Sequence, residues 1–426
     1  MILQFTIGNY RSFHERQTLN FRPSGLVSEN KKVDRNNILE DGEESLLRIL
    51  GVYGSNGSGK SNIIKALAFF RGMVSFSLTA ENFLVHEHNP FKFVPLEDED
   101  SGYFQMVLVL KGKRYRYGFS LNKNSTIREE WLYGPADRNE TYYFLRKGTA
   151  IEMNEERFKE GLQLPYNTRL RADALFLTFC SAYDGDVTGK IKDYLNDHVI
   201  IEGAFRQSPN YGPNINRSRT NNLIKTGHKG IVLRWLAQAG LFYSDIELRD
   251  IEGDTGRFRN YVLLTKIIRD QIGEEVKRVV MNLDTEESEG TKKFYVYIGG
   301  LYELFTNGGL YISDEIDNNF HSALLQRIIR LFQSPAINRA GAQLLFTSHD
   351  VNLMNPNIMR RDQFYFTEKN KTEETRLFSL ASLNGIRNNA DFARQYLSGH
   401  YGALPALETF SEDDDSAKSS NTLFPL

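Results

Sequence analysis

The chain has 426 residues, 40% of them apolar, and a formal net charge of −2. It can bury a sizeable core, and it lacks the general positive field that holds nucleic acid or an anionic membrane. A single cysteine, Cys180, excludes a disulfide framework. No run approaches the ~20 apolar residues of a membrane helix, and the start, MILQFTIGNYRSF, lacks the pattern of a signal peptide. A soluble, cytoplasmic protein is expected.

Strand-like runs open the chain at 1–7 and 16–22, and a polar, charged loop is expected at 28–45. LLRILGVYG follows as a short apolar strand ending in glycine. The spacing of Ile63, Ile64, Leu67, Phe70 and Val74 predicts a helix over 60–75. YFQMVLVL and YRYGFSL, joined by KGKR, predict a hairpin over 103–121, with further strands in 126–147. Helical periodicity then appears in 154–162, 187–198, 229–240 and 258–281. SPNYGPNINRSRTNN, between them, reads as a mobile loop. From 288 to 369 strands and helices alternate (GGLYISDE, HSALLQRIIRLF, AQLLFTSHD, QFYFTEK), which argues for an α/β sheet. The closing SEDDDSAKSSN reads as a disordered tail.

Four stretches carry chemistry. Gly54-Ser55-Asn56-Gly57-Ser58-Gly59-Lys60-Ser61 fits GxxxxGK[ST] between a predicted strand and helix, with Asn62 next in line. Such a loop turns its backbone N–H groups toward phosphate oxygens, and the helix behind it adds its positive end. Lys60 would reach the β- and γ-phosphates, and the Ser61 hydroxyl would ligate Mg²⁺. A glycine-rich turn before a helix is the plain alternative. Leu310-Tyr311-Ile312-Ser313-Asp314-Glu315 is an apolar strand ending in two carboxylates. Asp314 is expected in the Mg²⁺ shell, and Glu315 as the base for attacking water; an ordinary solvated turn is the alternative. Leu344 to Asp350 runs apolar strand into Thr347-Ser348-His349-Asp350. His349 is expected to contact the γ-phosphate rather than merely cap a helix, because its strand should lie beside the Asp314 strand. Glu287-Ser288-Glu289-Gly290-Thr291-Lys292-Lys293 precedes an apolar helical run; by spacing alone it is an N-cap.

These elements resemble the ABC-type ATPase heads of the RecF, SMC and OLD group. Asn9-Tyr10-Arg11-Ser12-Phe13 looks like the "NFRSF" start of those proteins. Three features are similar to one bacterial branch, the RloA/AbiL-type ATPases: Glu287 to Thr291 ("ESxGT"), Arg360-Arg361-Asp362-Gln363 ("RRDQ"), and Tyr396 to Pro405 ("YLxGxYGxxP"). The resemblance implies a P-loop NTPase of ABC-ATPase head type: an α/β fold with a mixed sheet, an antiparallel β lobe and an inserted, mainly helical region. It implies an N-terminal ATPase lobe over 1–150, the helical region over 151–280, and a C-terminal lobe over 281–405, with the tail at 406–426. It implies an ATP- and Mg²⁺-dependent ATPase working as a homodimer, with two nucleotides between the heads. Ser288 and Gly290 would bind the γ-phosphate held by the opposite subunit, Asp317 would lie at the interface, and His349 would act as the switch histidine.

Two departures stand out. Ser313 replaces the commoner apolar residue before Asp314, and Phe176 to Asp184, where a Q-loop is expected, contains no glutamine. No long heptad region is present.

The same resemblance extends to ATPase subunits of anti-phage systems such as PARIS and Septu. It implies a sensor or scaffold that controls a separate nuclease or toxin. The competing expectation is a DNA-binding clamp of recombination or repair type. That needs a basic face, for which Arg169, Arg171, Arg217, Arg219 and Lys111 to Arg114 are candidates. A third is a nucleotide switch with little turnover. The loop at 207–228 and Leu423 to Leu426 are candidate docking segments.

Overall fold

The computed structural model describes residues 1–78, 87–93, 101–135, 139–164, 170–202, 213–252 and 258–404. In chain order, the first third holds β1 (Ile2–Gly8), β2 (Gln17–Asn20), α1 (Lys31–Asn37), β3 (Ile38–Asp41), β4 (Glu44–Leu47), β5 (Ile49–Gly54), α2 (Lys60–Phe76), β6 (Gly102–Leu110), β7 (Lys113–Leu121) and β8 (Ile127–Pro135). The middle holds β9 (Glu140–Lys147), β10 (Ala150–Met153), α3 (Lys159–Leu162), α4 (Phe176–Ala182), α5 (Asp186–Asp197), β11 (Val199–Glu202), α6 (Pro213–Lys225), α7 (Lys229–Gln238), β12 (Asp245–Glu252), β13 (Phe258–Arg269) and β14 (Glu275–Asn282). The last third holds α8 (Leu283–Glu286), α9 (Glu289–Asn307), β15 (Leu310–Ser313), α10 (Ser322–Gln333), β16 (Gln343–Thr347), β17 (Phe364–Lys369), β18 (Thr375–Ser379) and α11 (Phe392–Leu397).

The central sheet runs β11-β15-β16-β5-β17-β18, parallel except for its last pair. Its inner strands are apolar on both faces, the mark of a sheet covered twice. Leu50 and Val52 of β5, Ile312 of β15 and Leu345 of β16 face one core. Ile49, Tyr53, Tyr311, Leu344 and Phe346 face the other. Register places Leu344 beside both Ile49 and Tyr311, so the strands ending in Gly54, Ser313 and Thr347 finish at one edge.

The first core is closed by an antiparallel sheet of order β10-β9-β8-β7-β6-β1-β2. α2 lies between the two sheets and is buried on most sides. Phe70 meets Phe5 and stacks on Phe119, their ring centres 5.7 and 5.5 Å away, while Phe69 stacks on Tyr10 at 5.6 Å. The second core is covered by α9 and α10, whose apolar stripes include Ile298, Leu301, Ile328 and Phe332. Both ends of the chain therefore build one α/β unit with an antiparallel lobe, the architecture anticipated from sequence.

Three expectations are corrected. The expected loop at 28–45 holds α1 and the β3–β4 hairpin. Within the expected mobile loop, 213–225 is helix α6: Thr220 donates to the Tyr295 carbonyl (2.7 Å) and accepts from Gly299 N–H (2.9 Å), which fixes it to α9. Residues 258–281 are not helical. They form β13 and β14 of a three-stranded antiparallel sheet with β12, turned at Asp270, whose carboxylate accepts from the N–H groups of Ile272 and Glu274. Their β-branched residues satisfy strand and helix periodicity alike, and the Asp-to-Gly turn breaks the helix. Residues 208–212, the tail and Arg169 lie outside the described residues.

Candidate functional site

The loop between β5 and α2 brings Gly54 to Ser61 to the edge where β15 and β16 end. Gly59 takes φ +109°, and a Cβ there would fall 2.3 Å from Thr375 Oγ1; only glycine fits both demands. Thr375 is the centre of a clamp. Its hydroxyl lies 2.7 Å from Ser12 Oγ and 2.8 Å from the Ser58 carbonyl, Asn62 Nδ2 donates to Ser12 Oγ at 2.8 Å, and the Ser58 and Thr367 hydroxyls meet at 2.7 Å. The Asn9 to Phe13 motif thus has a local physical role: it shapes the loop from behind. Asn9 and Arg11 adopt positive φ to do so.

Lys60 is buried, and its ammonium donates to the Gly54 and Ser55 carbonyls at 2.8 and 3.0 Å. Burial lowers its pKa, opposed by the nearby Asp314, Glu315 and Asp317 carboxylates. Ser61 Oγ donates to Asp314 Oδ1 at 3.1 Å. Asp314 also accepts from the Thr347 hydroxyl at 2.7 Å, and that hydroxyl accepts from Glu315 N–H at 2.7 Å. Glu315 is held at φ +50°, a strained conformation for a side-chain-bearing residue. Lys293 steadies the same turn by donating to the carbonyls of Glu315 (3.0 Å) and Asn318 (2.8 Å). His349, exposed at the end of β16, donates its backbone N–H to both Asp317 oxygens at 3.2 to 3.3 Å. Partial desolvation, and then the Lys60 ammonium, hold its imidazole pKa below the ordinary value.

The structure therefore brings Lys60, Ser61, Asp314, Glu315, Asp317 and His349 together. Ser288 and Gly290 lie at the N-terminal end of α9. Ser288 is exposed and caps α9, accepting from Thr291 N–H at 3.2 Å. A Cβ on Gly290 would fall 2.7 Å from the Asn319 carbonyl, so α9 begins against the turn that follows Glu315. Ser313 is buried and hydrogen-bonded to Tyr297 at 2.6 Å, which explains a polar residue in that apolar strand. Phe176 to Ala182 is helix α4, with its first N–H groups held by Glu130 at 2.7 and 2.9 Å. Sequence reasoning missed Thr347, Thr375, Ser12 and Lys293 as site residues. Thr347, Ser12 and Lys293 lay inside motifs singled out from sequence, without a role assigned to them; Thr375 carried no signal.

The set combines a buried cation, two hard oxygen donors (the Ser61 hydroxyl and the Asp314 carboxylate), a second carboxylate and an imidazole. It suits a polyphosphate and a hard divalent ion. The family model described as "AAA domain, putative AbiEii toxin, Type IV TA system" (AAA_21) matches residues 49–177 and 232–355, more than half of the chain. The chain belongs to the AAA_21 family. Family membership and this loop geometry make the AAA_21 chain a nucleotide-binding P-loop ATPase. Its fold is similar to those of solved SMC heads, three of which follow. One is the SMC head domain from Thermotoga maritima, at 14% identity over 89% of this chain and 98% of that one, TM-score 0.40. Another is the SmcHead bound to the C-winged helix domain of ScpA, at 12% over 89% and 97%, TM-score 0.42. The third is the Smc head domain with an extended coiled coil bound to the C-terminal domain of ScpA derived from Pyrococcus furiosus, at 12% over 89% and 96%, TM-score 0.39. No curated protein matches the AAA_21 chain. No helix among its described residues is long and apolar enough to cross a membrane.

Proposed function

We propose that this chain hydrolyses ATP as an ABC-type head-to-head dimer. The hydrogen-bonded series Ser61–Asp314–Thr347–Glu315 carries the reading, because it ties the phosphate loop to the acidic strand end. Backbone N–H groups of Gly54 to Ser61 hold the triphosphate, and the Lys60 ammonium exchanges its two loop carbonyls for phosphate oxygens. Ser61 and Asp314 would hold Mg²⁺, which would neutralise phosphate charge. Glu315 orients a water and takes its proton, and the backbone held by Thr347 and Lys293 keeps that carboxylate in place. His349 lies where it can donate a hydrogen bond to the γ-phosphate, with partial desolvation and the Lys60 ammonium lowering its pKa in the nucleotide-free chain. Ser288 and Gly290 cover the nucleotide held by the other copy; the exposure of Ser288 supports this. Glu315→Gln should cut phosphate release by about 10²-fold or more while ATP still drives dimer formation in sedimentation. Unchanged hydrolysis would refute the assignment, and equal behaviour of both proteins would favour a switch with little turnover.

The biological task we infer is that of a nucleotide-dependent sensor or scaffold in anti-phage defence, controlling a separate nuclease or toxin. The family description refers to a toxin–antitoxin system, a two-component setting, and does not itself name a sensor. The DNA-clamp alternative is weaker here because several candidate cations already face carboxylates: Arg114 with Glu44, Arg171 with Asp173, Arg217 with Asp284, and Arg219 with Glu303. Co-purification with the product of an adjacent gene tests the sensor reading. A steeply salt-dependent affinity for duplex DNA would overturn it.

A further inference from the structure

Glu287 stands immediately before Ser288, and its side chain is only 9% exposed. Among the described residues, one cation lies within 4 Å of its carboxylate: the Lys266 ammonium of β13, 3.6 Å from Oε1. That oxygen is buried and accepts no hydrogen bond from the described residues, so the ammonium is what compensates its charge. Lys266 also sits over the Tyr243 ring, 4.8 Å from its centre. The Tyr243 hydroxyl faces the same carboxylate, and burial and then Glu287 raise its pKa. Strand pairing builds this trio. Ser244 N–H donates to the Thr265 carbonyl at 2.7 Å, so the adjoining Tyr243 and Lys266 meet where the β12–β13 ladder ends. Lys266 stands opposite Val279 in the regular part of the β13–β14 ladder, and β14 runs through α8 into Glu287.

A buried carboxylate compensated by one ammonium is a directional anchor. Without Lys266 its charge is uncompensated, and the side chain gains by turning out to water. The next residue feels that rotation. Ser288 caps α9 from extended backbone (φ −67°, ψ 155°), its hydroxyl accepting from Thr291 N–H. The far side of this turn is already fixed: Gly290 lies against the Asn319 carbonyl, and Lys293 holds the carbonyls of Glu315 and Asn318. Glu287 is the joint between the β12–β14 sheet and the start of α9, and the Lys266 contact sets its angle. A purely stabilising role is the plain alternative. It is separable, because the ammonium is 44% exposed and the carboxylate can reach water, so the pair adds little to folding.

We propose that Lys266 and Glu287 are positioning residues for the composite site: their contact sets the Ser288 turn against the nucleotide of the second copy. This rests on the dimer reading above. The test uses the full chain. Lys266→Met and Glu287→Gln should each keep the wild-type melting temperature and single-chain ATP affinity. Each should weaken ATP-driven dimerisation in sedimentation at least about tenfold, with phosphate release falling in step. Lys266→Arg keeps a cation over Tyr243 and within reach of Glu287, and should restore both. The double variant should be no worse than the worse single one, because both changes remove the same contact. A lysine acting directly on phosphate gives another pattern: Glu287→Gln frees the ammonium and strengthens dimerisation. That result would overturn the proposal, as would additive losses in the double variant, weaker single-chain ATP binding, or losses that only follow a lowered melting temperature. Ser288→Arg separates this proposal from the reading beneath it. If that variant fails to dimerise while Lys266→Met dimerises normally, the positioning role falls and the composite site stands. If Ser288→Arg also dimerises normally, the composite site falls and the positioning role with it.

Discussion

Thr347 shows how one hydroxyl can hold two functional groups. It is buried, donates to Asp314 and accepts from the N–H of Glu315. Thr347→Val should cost about 1–3 kcal/mol, because the half-buried Asp314 carboxylate loses a donor and a backbone N–H loses its acceptor. Urea unfolding should register that loss, with phosphate release falling in parallel, while Thr347→Ser restores both. His88 offers a separate residue-scale test. It is buried, stacks on Phe69 and meets Ser125 Oγ at 2.9 Å, and burial lowers its pKa from 6.5 to about 4. A depressed histidine leaves stability intact above the unfolded value and removes it as pH falls from 6.5 through about 4, by up to about 3 kcal/mol. Denaturation midpoints at pH 7 and pH 4.5 should therefore differ less in His88→Phe than in wild type.

Among the elements, the Arg360 to Gln363 stretch was legible as a motif, but its physics was not. Arg360 is buried and pairs with Asp362 at 2.7 Å and with Asp34 of α1. Asp362 accepts from Ser24 at 2.8 Å, and Gln363 donates to the Ile49 carbonyl at 2.8 Å. The motif fastens the start of β17 to β5 and to the N-terminal segment. Arg360→Met should destabilise by about 3–5 kcal/mol, since it strands two acidic groups; thermal unfolding would reveal it, and an unchanged midpoint would mean the pairs are relieved by water. α6 was misread because Asn, Ser and Thr have modest helix propensity. Packing against α9 and the Arg217–Asp284 and Arg219–Glu303 pairs override that preference.

At the scale of the whole molecule, the proposed site is divided between copies. Ser288→Arg should leave ATP binding to the single chain intact and abolish ATP-driven dimerisation and turnover. Mixed with Lys60→Ala, it separates the halves. One composite site then carries both defects and the other neither, so the mixture should recover a fraction of wild-type phosphate release. No recovery would mean that each chain works alone. Lys293 ties the start of α9 to the turn after Glu315, so within one chain the two half-sites are mechanically joined.

The phosphate loop, the acidic strand end and the histidine were readable in the amino-acid order because their chemistry is local. Phosphate binding needs glycines, lysine and serine at short fixed spacing, and catalysis needs carboxylates where a strand stops. Tertiary structure alone decided which groups complete them. Ser61 and Asp314 are 253 positions apart, and Thr375 and Ser12 are 363 apart. No periodicity encodes such a meeting; sheet order creates it, by setting β5, β15 and β16 side by side. The same holds for the β13–β14 ribbon, whose residues suit helix or strand equally until a turn and a neighbouring strand choose between them.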